Sequence, residues 1–308
     1  MSQSRALESK GAFASLRYRK TRDRIIELIL LAAGLVAVFT TAAIVFILFY
    51  ESSFFFEHVS VKDFLTDTMW TPLFADARYG ILPLVSGTLT VTGVAVLVAI
   101  PLGTVIAIYL SEFAPYRLRE TVKPVLELLG AVPTVVYGYF ALLMVTPVLQ
   151  KIFPELPGFN MLSAGLVIGI MIVPYVASVS EDAMRAVPRY MREGSYAMGA
   201  TKMQTALRVV VPGAFSGLAA AYILGISRAV GETMVVAIAA GMMPNLTFNP
   251  TEPAATITAY IVQVSLGDLP HGSIGYQSIF AAGLVLMLMT LIFNVIGFFL
   301  TRKFREAY

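Results

Sequence analysis

Six stretches of this sequence stay apolar for long enough to cross a lipid bilayer, and that constrains the fold before any motif does. They run over 25–50, 81–110, 124–149, 161–180, 213–241 and 278–300. A hydrocarbon core about 30 Å thick takes roughly 20 helical residues. Inside it a lone segment satisfies its own N–H and C=O groups only as an α-helix. Composition points the same way: 57% of the 308 residues are hydrophobic and 13% charged, where soluble domains carry about 25% charged residues. A chain this apolar has lipid as its solvent. The expectation is an all-α integral membrane protein with six transmembrane helices. Pro101, Pro133 and Pro174 predict interruptions in three spans, either as kinks that shape packing or as breaks beside a water-filled path.

The placement of basic residues sets the orientation. With the N-terminus inside, eighteen of the 22 Lys and Arg residues lie in cytoplasmic segments. They are the seven of the tail 1–24, then Arg117, Arg119 and Lys123, the five from Arg185 to Arg208, and Arg302, Lys303 and Arg305. Lys62, Arg78 and Lys151 fall outside, and Arg228 falls within a span. Both termini are therefore expected in the cytoplasm. The apolar run 25–50 exceeds the roughly 7–15 residues of a signal-peptide core and ends in Phe54, Phe55 and Phe56, so it reads as a retained signal anchor. The chain divides into a basic tail 1–24, a first span 25–50, a periplasmic segment 51–80, a core 81–300 and a tail 301–308.

Cysteine is absent, which excludes a disulfide framework, a thiolate metal site and a cysteine nucleophile. His58 and His271, the only histidines, argue against a His-rich metal site and fit exposed loops. The outer segments 51–80 and 242–277 combine turn-forming prolines with Phe64, Trp70, Leu73 and Ile261. They suit either a cap on the membrane surface or a docking face for an external partner.

Residues 181–212 are too polar for lipid yet keep a helical spacing of apolar residues. Met191, Tyr196, Ala197 and Met198 line one side, while Glu193 and Lys202 stay wet. Gly199 punctuates the segment with access to positive φ. Met203, Leu207 and Val210 form a second amphipathic piece, and Pro212 closes it. The prediction is a helix–turn–helix on the cytoplasmic surface with an apolar face open to another protein. Gly194 to Thr201 superficially matches a phosphate-binding loop, but its essential lysine position is Ala200 and no strand precedes it.

The fifth span carries Ser227, Arg228, Glu232 and Thr233. An ionisable residue at that depth costs about 2.5–3.5 kcal/mol on insertion scales. Arg228 and Glu232, four apart on a continuous helix, would share one face. They suit either an internal ion pair that locks helices together or an anion gate. A guanidinium stays charged when desolvated and offers forked donors to an oxyanion. Glu232 would then accept a hydrogen bond from an anion that keeps a proton, as phosphate does, and repel a fully ionised one.

Two resemblances sharpen this reading. Glu193-Gly194-Ser195, three residues, Gly199, nine residues and then Val209-Val210-Val211-Pro212 resemble the EAA loop of ABC-importer permeases. Gly194 and Ser195 stand where that motif has alanines. The resemblance implies a type I ABC importer permease fold and a coupling helix, with Glu193, Gly194, Ser195, Ala197, Met198, Gly199 and Ala200 seated in a cleft of an ATPase subunit. Ser227-Arg228-Ala229-Val230-Gly231-Glu232-Thr233-Met234 is similar to the signature of phosphate-importer permeases. So are Gly80-Ile81-Leu82-Pro83, Tyr109-Leu110-Ser111-Glu112-Phe113-Ala114-Pro115 and Pro133-Thr134-Val135-Val136-Tyr137-Gly138. They look like the PstC type rather than its PstA-type partner.

That likeness implies a non-catalytic subunit of a bacterial inner-membrane importer, binding no cofactor itself. ATP and Mg2+ would sit on a partner ATPase dimer. A PstA-type second permease would complete a heterodimer, a periplasmic phosphate-binding protein would deliver substrate, and no nucleic acid would be involved. Ser227, Arg228, Glu232 and Thr233 would form the translocation site. A permease for molybdate or sulfate, and a proton-coupled secondary transporter, remain the alternatives.

Overall fold

A computed structural model describes residues 2–303 apart from 73, 75, 268 and 271, and of residues 2–19 and 21 the backbone alone. Leu73, His271 and Arg305 lie outside the described residues. The chain divides into two units, Met1–Glu51 and Ser52–Tyr308. The first is helical, because α1 runs unbroken over Ser2–His58. The basic tail and the first apolar run are thus one helix, of which Arg22–His58 has a mean hydropathy of 2.6. His58 is exposed at the end of that helix rather than in a loop.

In the second unit α2 (Val61–Thr66) precedes α3 (Leu82–Ile108), which is extended by a π-helical turn at Tyr109–Phe113. Then come α4 (Tyr116–Gly130), α5 (Thr134–Phe140), α6 (Thr146–Gln150) and α7 (Met161–Ala186). α8 (Arg189–Ala197), α9 (Lys202–Thr205) and α10 (Val211–Gly213) follow, leading into α11 (Phe215–Val230) and α12 (Met234–Ala239). α13 (Ile257–Ser265) and α14 (Ile274–Lys303) complete the described chain.

Among the described residues four helices are long and apolar enough to cross a membrane, and the number reaches six when each of two bent pairs is taken as one span. The first pair, Tyr116–Gly130 with Thr134–Gln150, bends by 84°. Pro133 lies at this corner and has no N–H to continue the ladder. The helix end leaves carbonyls without intrahelical donors, and two tyrosines satisfy them. Tyr137 Oη donates to Leu129 O at 2.9 Å, and Tyr175 Oη to Gly130 O at 2.9 Å. The second pair, Lys202–Gly213 with Phe215–Val230, bends by 73° just after Pro212 and Gly213. Pro101 and Pro174 do not break their spans: both lie inside continuous helices, α3 and α7. Of the three, only Pro133 marks a break.

The core is the packing of α3 on α7. Val91, Ala95 and Ala99 meet Val167, Ile168, Met171 and Ile172, with Val235, Val236 and Ala239 of α12 completing the cluster. Gly165 and Gly169 allow the approach. A methyl group on Gly165 would fall 2.6 Å from Val94 Cβ, and one on Gly169 would fall 2.8 Å from the Ala95 carbonyl oxygen. Small residues let membrane helices close in this way, as the Gly-x-x-x-Gly spacing predicts.

The segments 51–80 and 242–277 pack on each other. Trp70 stands edge-on to Tyr260 at 5.0 Å between ring centroids, and Phe64, Phe55 and Tyr79 extend this buried cluster. The segment 242–256 also closes the start of α7. Leu162 N donates to Pro250 O and Met161 N to Glu252 O, so backbone amides left free by the helix start find acceptors in the loop.

Candidate functional site

α11 ends at Val230, and this overturns the expectation of a continuous helix through 213–241. Gly231 caps α11, and α12 begins only at Met234. Arg228 and Glu232 therefore do not share a helical face. The cause is the Glu232 carboxylate. Its Oε1 accepts from Met234 N at 3.2 Å and Val235 N at 3.3 Å, the first free amides of α12. A side chain that satisfies these donors favours a new helix start over continuation of the old one. Glu232 is 8% exposed, and its backbone carbonyl accepts from Thr258 Oγ1 at 2.7 Å. Thr233 Oγ1 donates to Gly231 O at 3.1 Å, inside the break.

Arg228 sits in the last turn of α11 and makes no ion pair among the described residues. Its guanidinium carbon lies 4.2 Å from the centroid of the Tyr175 ring. Its Nε is buried without a hydrogen-bond partner, and so is the hydroxyl of neighbouring Ser227. A cation over an aromatic face gains about 0.5–1 kcal/mol in water and about 2 kcal/mol or more when desolvated. The internal ion pair anticipated as one alternative is absent. Ser227 and Arg228 stand together as available donors, while Glu232 and Thr233 serve the helix break.

Tyr175 carries no sequence signal, being one aromatic residue in an apolar span. It binds the end of α4 through its hydroxyl and Arg228 through its ring. It also lines a cavity of about 290 Å³ with Leu126, Glu127, Gly130, Pro174 and Ser178.

The segment after α7 folds as helix, turn, helix. Gly199, with φ of +82°, makes the turn, in the left-handed region where a side chain is strained. Thr201 and Gln204 form a reciprocal capping box at the start of α9. Ser195 and Thr205 hydroxyls join the two helices at 2.9 Å. Glu193, Gly194 and Ala197 are exposed, Ser195 and Ala200 half-buried, and Met198 is 89% exposed. The predicted apolar stripe divides. Tyr196, Met198, Met203 and Leu207 face outward, but Met191 and Val210 pack inward against Met184 and Val187. The π-helical turn Ala206–Val210 is responsible, because its wider winding rotates Val210 off the face of Met203 and Leu207.

Arg192 and Glu112 were also missed as a pair. Arg192 Nη2 donates to Glu112 Oε1 at 3.0 Å and Nε to Oε2 at 3.3 Å. Glu112 falls within the stretch Tyr109 to Pro115, and a carboxylate at an apolar boundary next to basic loop residues was the available signal. Nearby, Lys123 of α4 bonds Glu181 of α7 at 2.9 Å, a carboxylate only 1% exposed. The basic segments around 117–123 and 185–192 thus meet at one end of the bundle.

Comparison with known proteins defines the class. The family described as "binding-protein-dependent transport system inner membrane component" matches residues 99–306. A probable ABC transporter permease protein, YqgH, of Bacillus subtilis is 36% identical over 279 residues, covering 90% of each chain. The phosphate transport system permease protein PstC 1 of Mycobacterium tuberculosis is 35% identical over 243 residues, covering 71% of each. PstC of Haemophilus influenzae is 30% identical over 266 residues, covering 79% of this chain and 82% of its own. A chain of a bacterial alginate ABC transporter superposes with a TM-score of 0.63 at 16% identity, covering 93% of this chain and 97% of its own. A chain of the MetNI methionine ABC transporter gives 0.54 at 19%, covering 74% and 95%. These solved structures share the fold, and with the family match and the long apolar helices they identify a multi-pass inner-membrane protein: the chain belongs to the binding-protein-dependent transport system inner membrane components.

Proposed function

We propose that this chain is one of two permease subunits of an ABC importer for inorganic phosphate. The observation that carries the substrate class is Arg228, a guanidinium at membrane depth with no carboxylate partner, held against Tyr175 with a buried Nε free. Such a group keeps its charge on desolvation and presents planar donors that match a tetrahedral oxyanion. The free Ser227 hydroxyl beside it adds a donor or acceptor. PstC-named relatives at 29–35% identity support phosphate over other oxyanions, as does the proton that phosphate keeps at neutral pH.

In this reading 51–80 and 242–277 face the periplasm and receive a phosphate-binding protein, and 1–24 and 301–308 face the cytoplasm. The core 81–300 pairs with a second permease. The exposed face from Glu193 to Ala200 docks an ATPase dimer, which holds ATP and Mg2+. This chain contributes the gate and no catalytic group.

The hydrogen bonds to α12 give Glu232 a structural task beside its proposed one. Glu232→Gln keeps an acceptor for Met234 and Val235 while removing the charge, so it separates the two. Competition by phosphate, arsenate, sulfate and molybdate for uptake tests the proposal. Phosphate and arsenate should compete and sulfate should not, and Glu232→Gln should admit sulfate. Equal competition by molybdate or sulfate in the wild type would replace phosphate with another oxyanion. Unchanged selectivity in Glu232→Gln would remove Glu232 from recognition.

A further inference from the structure

One charged side chain ties the coupling segment to the ends of two membrane helices. Arg192, in the first turn of α8, uses its whole fork. Besides the two bonds to Glu112, Nη2 donates to Met184 O at 2.8 Å and Nη1 to Val187 O at 2.5 Å. Val187 caps the C-terminal end of α7, and Met184 in its last turn already accepts from Val187 N at 3.2 Å, so Arg192 gives Met184 O a second donor and supplies one to Val187 O beyond the helix end. Glu112 sits in the π-helical turn that closes the long helix begun by α3, and Ser111 Oγ donates to it at 2.8 Å. The two side chains are 16% and 7% exposed. Three elements, the ends of α3 and α7 and the start of α8, therefore converge on one guanidinium.

We propose that Arg192 is a positioning residue of transport, the link through which displacement of α8 moves α3 and α7 together. The proposal rests on the reading of 193–200 as the ATPase-docking face. α8 packs only lightly on the bundle: the segment from Glu193 to Gly199 is largely exposed and none of α8 is fully buried. A push on that segment would be absorbed by hinging at Val187 and Pro188 unless something stiffer bridged it. Four charge-assisted bonds to two helix ends supply that stiffness. From α7 the displacement reaches the gate directly, since Tyr175 is on the same helix and its ring holds Arg228. A lysine cannot substitute, because an ammonium lacks the planar fork that spans a carboxylate and two carbonyls at once.

The test uses the whole importer in proteoliposomes, with radiolabelled inorganic phosphate taken up and ATP hydrolysed both measured. Glu112→Gln and Arg192→Lys should assemble and hydrolyse ATP, while phosphate moved per ATP falls about tenfold, within the range of ordinary coupling free energies. The chain has no cysteine, so the pair Glu112→Cys with Arg192→Cys can be bridged by a short thiol crosslinker. Bridging should restore the ratio and reductive release should remove it again. An unchanged ratio in Glu112→Gln, or a bridged pair no better coupled than the open one, would overturn the proposal. A wild-type complex from which no ATPase co-purifies would instead remove the docking reading beneath it.

Discussion

Tyr175→Leu is the perturbation that most directly asks whether the ring places Arg228 for its proposed role. The guanidinium lies 4.2 Å from the ring centroid, close enough for the full cation–π attraction. In a site removed from water that attraction is about 2 kcal/mol. Its loss lowers the share of molecules with Arg228 in place by about thirtyfold, and saturated phosphate uptake should fall by up to that factor. Tyr175→Phe separates the ring from the hydroxyl. It keeps the aromatic face but leaves the Gly130 carbonyl without its 2.9 Å donor. That variant should lose about 0.5–1.5 kcal/mol of stability, the net worth of one hydrogen bond to a half-buried acceptor, while uptake per folded molecule stays within a few-fold of wild type. The assay is initial uptake in proteoliposomes at saturating binding protein, normalised to assembled complex. Wild-type uptake by Tyr175→Leu, or a phenylalanine variant as impaired as the leucine one, would refute the reasoning.

Gly199→Val should insert normally yet abolish ATP-dependent uptake, because a β-branched residue does not tolerate φ of +82° and the turn between α8 and α9 would re-form elsewhere; persistence of uptake would show that this turn is not the coupling element. The Glu252 carboxyl is held below its ordinary value by hydrogen bonds from Thr247, Asn249 and Asn245. A depressed folded value stabilises the loop above the unfolded pKa, and that contribution is lost as pH falls through the folded one. Proteolysis of 242–256 should therefore accelerate on acidification below the ordinary value of 4.5 in the wild type and show no such step in Glu252→Gln.

The membrane class, the tight approach at Gly165 and Gly169, and the glycine turn at 199 were legible in the sequence, each for a local reason. Apolar length and small-residue spacing act through the chain's own geometry, and positive φ at Gly199 follows from the missing Cβ. What escaped depended on partners distant in sequence. A continuous helix through Glu232 is the natural expectation from hydropathy, and only the bonds from its carboxylate to Met234 and Val235 show why it breaks. Tyr175 gains its meaning from Gly130, 45 residues away, and Arg192 from Glu112, 80 residues away. Pro101 and Pro174 read like breaks but lie in unbroken helices, because a proline disturbs a helix without ending it when neighbouring helices hold both sides. The division of the second amphipathic stripe came from a π-helical turn, which periodicity at 3.6 residues does not anticipate.

Neutralising Arg228 is the most direct measurement. In the reconstituted importer, Arg228→Gln should still assemble and hydrolyse ATP in response to loaded binding protein. Its phosphate uptake should fall about a hundredfold or more, the loss of two charge-assisted hydrogen bonds at roughly 1.5 kcal/mol each. Undiminished uptake by that variant would contradict the account.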